Sequence, residues 1–399
     1  MKMRSLTVVA STLTNACGVG WDAVASTLRR GRTSLRAFDL EWSPPLATWI
    51  GRVAGLEAAP LPAAFATLDS RSNRLAHLCL EQDAFDAAVE RTSKRHGRDR
   101  IGLFVGTTTS GILSTELAFR EWIGASAEHA SRTPLAIERN VHNMHATTEF
   151  VRRRLGLEGP VQTISTACSS SAKVFAAASR FIDAGLCDAA VVGGVDSLAL
   201  STLFGFKALD LVSTGPCRPF AADRDGISIG EAAGFALLEP DAEGSVRLSG
   251  YGESSDAWHM SSPHPEGAGA VVAMRGALER AGVDAAAVGY VNLHGTASRA
   301  NDTAEDCAIT IVFGTRTPVS STKGYMGHTL GAAGITEALI TVMSIAEQWI
   351  PGTVNCDVVD PALHCAIVRE SRAQPLDVAM SNSFGFGGSN CALAFERIR

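Results

Sequence analysis

No apolar run in the 399-residue sequence approaches the roughly 20 residues that a membrane-spanning helix requires. The segment Met1 to Ala10 is a short strand pattern followed by polar residues and lacks the longer apolar core of a secretory signal. None of the nine cysteines forms a Cys-x-x-Cys pair, which disfavours a zinc ribbon, and no metal site is expected. Their odd number, without a signal peptide, argues for a reducing compartment, so we expect a cytoplasmic protein with no membrane partner. No strongly basic stretch is present and the net charge is −6, which argues against nucleic acid as a partner. The Gly-x4-Gly-Lys-Ser/Thr pattern of a phosphate-binding loop is also missing, which disfavours nucleotide binding.

What is present is a chain able to bury a large core: 46% of residues are hydrophobic and 19% charged. Its length allows two ordinary domains or one large α/β unit. Strand-like runs at Leu6–Ala10, Ile101–Val105, Val161–Ser165, Ala189–Gly193, Gly234–Leu238, Val288–Leu293, Val319–Ser321 and Ala392–Phe395 recur along it. Helical patterns at Arg71–Arg91, Ala172–Ala184, Ala268–Ala281, Asp302–Phe313 and Ala332–Gln348 lie between several of them, which predicts α/β layers. Trp42–Ala64 reads as an irregular excursion. Pro240–Gly244 reads as a hinge between halves, 1–242 and 243–399.

Cys168 lies in Thr-Ala-Cys-Ser-Ser-Ser-Ala, between a short β-branched stretch and an Ala-rich helical one that Gly185 ends. At the first turn of such a helix a sulfur faces unpaired N–H groups and the positive end of the helix dipole. Both favour the reactive thiolate. The alternative is a buried small hydrophobe, which free cysteine commonly is. A second strand-loop-helix unit runs from Val319–Ser321 through His328 into a small-residue helix, and His328 lies 160 positions after Cys168. A duplicated fold would bring these two helix N-termini together across a pseudo-twofold axis.

Three further windows carry chemistry. Val291 to Ser298 is a strand ending in His294-Gly295-Thr296, which sets a histidine at a sheet rim; the alternative is a histidine satisfied by backbone. Ser320 to Gly334 holds Lys323 and His328 on either side of a glycine-containing loop that opens a helix. Asn382 to Asn390 reads Asn-Ser-Phe-Gly-Phe-Gly-Gly-Ser-Asn, a turn whose N–H groups can face an oxyanion; the alternative is a tight hairpin with its Phe side chains in the core.

Together these windows resemble the β-ketoacyl-acyl-carrier-protein synthases of type II fatty acid and polyketide synthesis, across essentially the whole chain. Arg218-Pro219-Phe220, Arg224-Asp225-Gly226 and Gly230-Glu231-Ala232-Ala233-Gly234 share the resemblance. It implies the thiolase fold, a duplicated five-layered αβαβα sandwich, and a dimer, either of two copies or with a related ketosynthase-like subunit. It implies acyl-carrier protein as partner and no cofactor bound by the enzyme itself. Carried over, Cys168 is the nucleophile, and His294 and His328 stabilise the enolate-like charge formed as CO2 leaves. Lys323 is the structural and electrostatic member, with Glu305 as its acidic partner. The N–H groups of Cys168 and Phe386 form an oxyanion hole, and the Phe386 ring acts as a gate. Thr296 and Ser298 contact pantetheine, while Phe204 and Phe384 line the substrate path.

Where Gly106 to Ile112 reads Gly-Thr-Thr-Thr-Ser-Gly-Ile, housekeeping members have a glycine-richer loop. Thr109 falls where they line the acyl pocket, implying a narrower or more polar pocket for a polyene or aryl-primed chain. Ser110-Gly111-Ile112 with His142-Asn143-Met144-His145 looks like synthases from aryl-polyene clusters. Asn292, Glu337, Ser381 and Asn382 match a monovalent-cation site of some relatives, against ordinary polar packing. Arg71, Arg74 and Lys207 are candidates for a basic patch docking the acidic carrier protein, against solvated surface charge.

Two other readings share the fold. A thiolase uses a second cysteine in Cys-x-Gly, but here Cys391 is followed by Ala392 and Leu393. A non-catalytic chain-length-factor subunit loses the nucleophile, but Cys168 and both histidines are present. His328 also argues against the synthases that prime from acyl-CoA, which have Asn there.

Overall fold

The computed structural model describes residues 2–124 and 139–399. One pattern of strand pairing occurs twice. In the first half, β1 (Leu6–Asn15), β2 (Ile101–Gly106), β3 (Val161–Ile164), β4 (Ala189–Asp196) and β5 (Ala232–Pro240) lie in the order β3-β2-β4-β5-β1. In the second, β6 (Val246–Ser255), β7 (Tyr290–Asn292), β8 (Pro318–Ser320), β9 (Ala366–Ile367), β10 (Val378–Gly385) and β11 (Ser389–Arg397) lie in the order β9-β8-β7-β10-β11-β6. Without the short β9 the two orders correspond strand for strand. In each half three strands run parallel and a fourth antiparallel. The halves join where β1 pairs with β6, Leu6 opposite Leu248. Strands β2 and β4 are buried along their whole length, which is why they read as continuous apolar runs.

The helices around the sheet include α1 (Arg71–Leu80), α2 (Phe85–His96), α3 (Ile112–Gly124), α4 (Ala146–Leu155), α5 (Ser170–Asp183), α6 (Leu200–Ala208), α7 (Ala268–Ala281), α8 (Arg299–Phe313) and α9 (Ala333–Glu347). Leu75, Phe85 and Phe150 of α1, α2 and α4 pack on Val105, Val191 and Phe235 of the first half-sheet. Met274 and Ile309 of α7 and α8 pack on Val291 and Met380 of the second. Between the half-sheets, α5 and α9 bury Phe175, Ile182, Ile335 and Leu339 against Val192, Leu238 and Phe395. Each fully buried large apolar side chain there is worth roughly 1.5–3 kcal/mol. The result is the five-layered αβαβα sandwich of the thiolase fold. The segment Leu330–Glu347 is apolar enough by composition to pass for a membrane span, with mean hydropathy 1.4, yet 89% of it is buried here as the central helix.

Small residues let the two central helices touch: a Cβ on Gly334 would sit 2.3 Å from the Ala172 nitrogen. The single helix predicted over Arg71–Arg91 is in fact two. Asp83 and Ala84 adopt left-handed backbone (φ 56° and 53°). Their turn sets the Asp83 carboxylate to accept from the Trp21 N–H at 3.0 and 3.1 Å, a tertiary contact that periodicity does not encode. Within the irregular stretch Trp42–Ala64, Trp49–Gly51 forms a strand in a small three-stranded sheet.

Candidate active site

The two strand-to-helix joins that the repeat predicts meet at the centre of the molecule. Cys168 precedes α5, and His328 precedes α9. Each join carries a non-glycine residue in the left-handed region, Ala167 at φ 52° and Leu330 at φ 56°, a conformation that surrounding structure must hold in place. The backbone of His328 is pinned by strand-like bonds: its N–H donates to Ser228 O at 2.7 Å and its carbonyl accepts from Gly230 N at 2.9 Å. His328 Nε2 then lies 2.9 Å from Cys168 Sγ. With His294, from the end of β7, these side chains gather one ligating atom each within 4.8 Å of one another. All three residues are buried.

Lys323 is buried beside them. Its Nζ donates to His294 O at 2.5 Å, to Glu337 Oε1 at 2.8 Å and toward His294 Nδ1 at 3.3 Å, which uses all three of its protons. A donor on Nδ1 leaves the His294 proton on Nε2. Burial, and next the Lys323 charge, hold both imidazoles well below the ordinary histidine pKa, so they are neutral donors or acceptors at pH 7.

Two expectations change here. The acidic partner of Lys323 is Glu337, not Glu305. Glu305 instead accepts from the backbone N–H groups of His294 at 2.8 Å and Gly295 at 2.7 Å, and from Asn382 Nδ2 at 3.2 Å. It fixes the backbone that carries His294. The thiolate expected from the helix N-terminus is also not the resting form. Burial pushes the Cys168 thiol up to about 11, and the Lys323 charge and a Phe386 N–H hydrogen bond offset this only in part. Desolvation outweighs the dipole because the sulfur is buried.

The Gly385–Gly388 turn delivers that N–H group, with Gly387 at φ 78°. The half-buried Phe386 ring leans on Phe206, centroids 5.4 Å apart. A cavity of about 80 Å³ reaches the three reactive side chains, and Thr296, Ser298 and Phe384 line it with both aromatics. The Thr296 and Ser298 hydroxyls lie 3.0 Å apart, and Ser298 also caps α8 by accepting from Asn301 N.

Other predicted residues lie elsewhere. Phe204 and Phe206 both pack against the cluster of Leu40, Leu203 and Ile227, but it is Phe206, not Phe204, that lines the cavity. Thr109 is buried and its hydroxyl donates to Asp196 Oδ1 at 2.8 Å, so it presents no free hydroxyl to a substrate. Arg71 is not a surface cation: with 7% of its side chain exposed, it is bonded to Glu231 and Glu57. Arg74 is tied to Asp69 and to the Leu56 and Glu57 carbonyls. Of the three, Lys207 is exposed, near the end of α6.

The sequence reading missed the loop that holds the Phe386 turn. Gly387 N donates to Met260 O at 2.9 Å, Asp256 N donates to Gly388 O at 2.9 Å, and Asn390 Nδ2 donates to Asp256 Oδ1 at 2.7 Å. Ser261-Ser262-Pro263 signals a loop there, but nothing local signals its contact with residues more than a hundred positions away.

The arrangement is a buried thiol beside two neutral imidazoles, a fully committed lysine and one backbone donor, the Phe386 N–H, aimed at the sulfur. It suits acyl transfer to sulfur followed by stabilisation of an enolate oxygen. Comparisons with known proteins agree. Residues 4–244 match the family model of the β-ketoacyl synthase N-terminal domain, and residues 246–357 that of the C-terminal domain. The chain is 37% identical over 319 residues to 3-oxoacyl-[acyl-carrier-protein] synthase 2 of Vibrio cholerae, covering 75% of this chain and 76% of that protein. It is 34% identical over 347 residues to the protein of that name from Synechocystis, with 82% of each covered. A chain in the structure of the ketosynthase ApeO in complex with its chain length factor ApeC, from Xenorhabdus doucetiae, superposes with a TM-score of 0.90 at 37% identity, covering 99% of this chain and 98% of that one. A β-ketoacyl synthase from Burkholderia phymatum superposes at 0.88 with 31% identity and full coverage of both. The chain belongs to the β-ketoacyl synthase family. It is a 3-oxoacyl-acyl-carrier-protein synthase, an acyltransferase that forms a carbon–carbon bond.

Proposed function

We propose that the chain extends an aryl-polyene-type polyketide carried by an acyl-carrier protein, with Cys168 holding the growing chain and malonyl-acyl-carrier protein supplying each unit. The observation that carries the residue roles is the convergence of Cys168, His294 and His328 within 4.8 Å. Cys168 Sγ attacks the acyl thioester carbon while its proton passes to His328 Nε2. The carbonyl oxygen turns to the N–H groups of Cys168 and Phe386. The bond to the pantetheine sulfur breaks, and that sulfur takes the proton back.

Malonyl thioester then enters beside Thr296 and Ser298. Its carboxylate–methylene bond breaks, CO2 leaves, and the electron pair spreads onto the thioester oxygen facing Nε2–H of His294 and of His328, whose single proton moves by way of water from Nδ1 to Nε2 once acylated Cys168 no longer donates to it. The carbanion attacks the acyl-Cys168 carbon, and the Cys168 thiolate departs and regains a proton from water. Neutral imidazoles suit this step because they donate a hydrogen bond without protonating carbon. The Phe386 ring, half-buried against Phe206, is the gate that must swing away to admit an acyl chain.

Ser110-Gly111-Ile112 and His142 to His145 support the aryl-polyene assignment. The chain is also similar to a ketosynthase solved with its chain length factor. That likeness supports a dimer with a second ketosynthase-like subunit. Nine free cysteines support a cytoplasmic location. The residues Asn292, Glu337, Ser381 and Asn382 fit a structural monovalent cation. Asn292 Oδ1, Glu337 Oε2, Ser381 Oγ and Asn382 Oδ1 are buried oxygens without a hydrogen-bond partner, and Asn292 and Ser381 are register partners in β7 and β10. A bound cation would neutralise Glu337 on its face away from Lys323.

Intact-mass spectrometry tests the reading. Wild type incubated with polyene- or aryl-primed acyl-carrier protein should gain one acyl mass and extend it with malonyl-carrier protein, and Cys168→Ala should gain none. Equal labelling of both proteins, or a clear preference for saturated chains, would sink it.

A further inference from the structure

The side chain of Asp196, at the end of β4, is 0% exposed, and it plays no part in the chemistry described above. Its carboxylate accepts from six groups. Three are hydroxyls: Thr107 Oγ1 at 2.7 Å, Thr108 Oγ1 at 2.5 Å and Thr109 Oγ1 at 2.8 Å. Three are backbone N–H groups: Thr108 and Thr109, each 2.8 Å from Oδ1, and Gly331, 2.6 Å from Oδ2. All six donors are uncharged. A carboxylate satisfied by this many donors supports a buried charge without a cation.

The partners belong to different parts of the chain. The threonines form the loop that leaves β2. Gly331 lies three residues after His328, in the turn that enters α9. Gly331 O in turn accepts from Ser171 Oγ at 2.5 Å, and Ser171 lies three residues after Cys168. The packing leaves no slack, since a Cβ on Gly331 would sit 2.7 Å from Asp196 Oδ2 and 2.9 Å from Thr108 N. The same charge is felt at Cys168, where it adds to the burial that keeps the thiol protonated.

We propose that Asp196 is a positioning residue: its buried carboxylate ties the Thr107–Thr109 loop to the turn behind His328 and so sets His328 against Cys168. It touches neither substrate nor the reacting atoms and acts through His328. The three consecutive hydroxyls of this loop are then a donor set for Asp196.

A double-mutant cycle on the full-length protein separates this role from a general structural one. The readout is conversion of malonyl- to acetyl-carrier protein, followed by mass spectrometry. Asp196→Asn sets an amide N–H among donors and should cut kcat by about ten- to a hundredfold, the scale of a misplaced catalytic group, with KM changed less than about twofold. In the His328→Ala background the same substitution should cost less than about twofold. Equal losses in both backgrounds, or a folded Asp196→Asn variant within about twofold of wild type, would overturn the proposal. If Asp196→Asn does not fold, Thr109→Val decides by the same cycle, since it removes one donor and keeps the shape. It should cost about three- to tenfold, and only where His328 is present.

Discussion

His328 Nε2 meets Cys168 Sγ at 2.9 Å, and this contact joins the two halves of a duplicated fold at their equivalent points. In the proposed mechanism it makes His328 the proton acceptor for a thiol that burial keeps protonated. His328→Ala should therefore slow acylation of Cys168 as well as malonyl decarboxylation, each by at least about tenfold at pH 7. Single-turnover mass spectrometry reads both steps. Acylation at the wild-type rate would show that the thiol needs no base.

His294 makes no hydrogen bond to the sulfur and receives a Lys323 N–H on Nδ1. His294→Ala should leave acylation within about threefold while cutting decarboxylation by about a hundredfold, the scale of losing one oxyanion donor. The same assay separates the steps. Parallel losses in both would refute the division of labour.

The resting thiol, pushed up to about 11, gives a pH signature. Iodoacetamide labelling of Cys168 should climb about tenfold per pH unit from pH 6 to 9, because only the small thiolate fraction reacts, and should not level off in that range. A plateau by pH 7 would show a stable resting thiolate. Over the acid range both histidines are held neutral, well below their unfolded pKa of about 6.5. The unfolded chain then binds more protons than the folded one as pH falls below that value. Thermal stability should drop on acidification through this window, and His294→Ala should flatten the drop.

Arg71 pairs with Glu231, whose side chain is 0% exposed. Arg71→Ala should destabilise the fold by about 3–5 kcal/mol by stranding a buried carboxylate, as denaturant melts would show. Lys207→Glu should leave stability within about 0.5 kcal/mol and raise the KM for acyl-carrier protein. A stable Arg71→Ala variant with weakened carrier binding would restore Arg71 to the docking surface.

Glu305 holds two backbone N–H groups beneath His294. Glu305→Ala leaves both buried and unpaired and should cost about 2–6 kcal/mol at about 1–3 kcal/mol per group, read by the same melts. An Ala variant as stable as wild type would show that water satisfies both groups.

Much of the fold was legible because buried parallel strands and small-residue helices leave local signatures. Ile101–Gly106, Ala189–Asp196 and the helix Ala268–Ala281 fall close to or on their predicted positions. That Cys168, His294, His328 and Lys323 belong to one candidate site was legible because each lies at a strand end or helix start with a distinctive neighbour, such as Gly295 after His294. Partners were not legible. Whether Lys323 pairs with Glu305 or Glu337 depends on how α8 and α9 approach the site, and no spacing along the chain encodes that approach. The sequence placed Phe204 in the substrate path, but the rotation of α6 against its neighbours turned Phe206 there instead.

The residue types and their order along the chain determined the chemistry, one thiol with two imidazoles at repeated strand-to-helix joins, because reactivity resides in the side chain and its immediate turn. Tertiary structure decided the protonation states and the pairings. Both depend on desolvation and on contacts made across the sandwich, where Asp196, Gly331 and Ser171 meet from three separate parts of the chain.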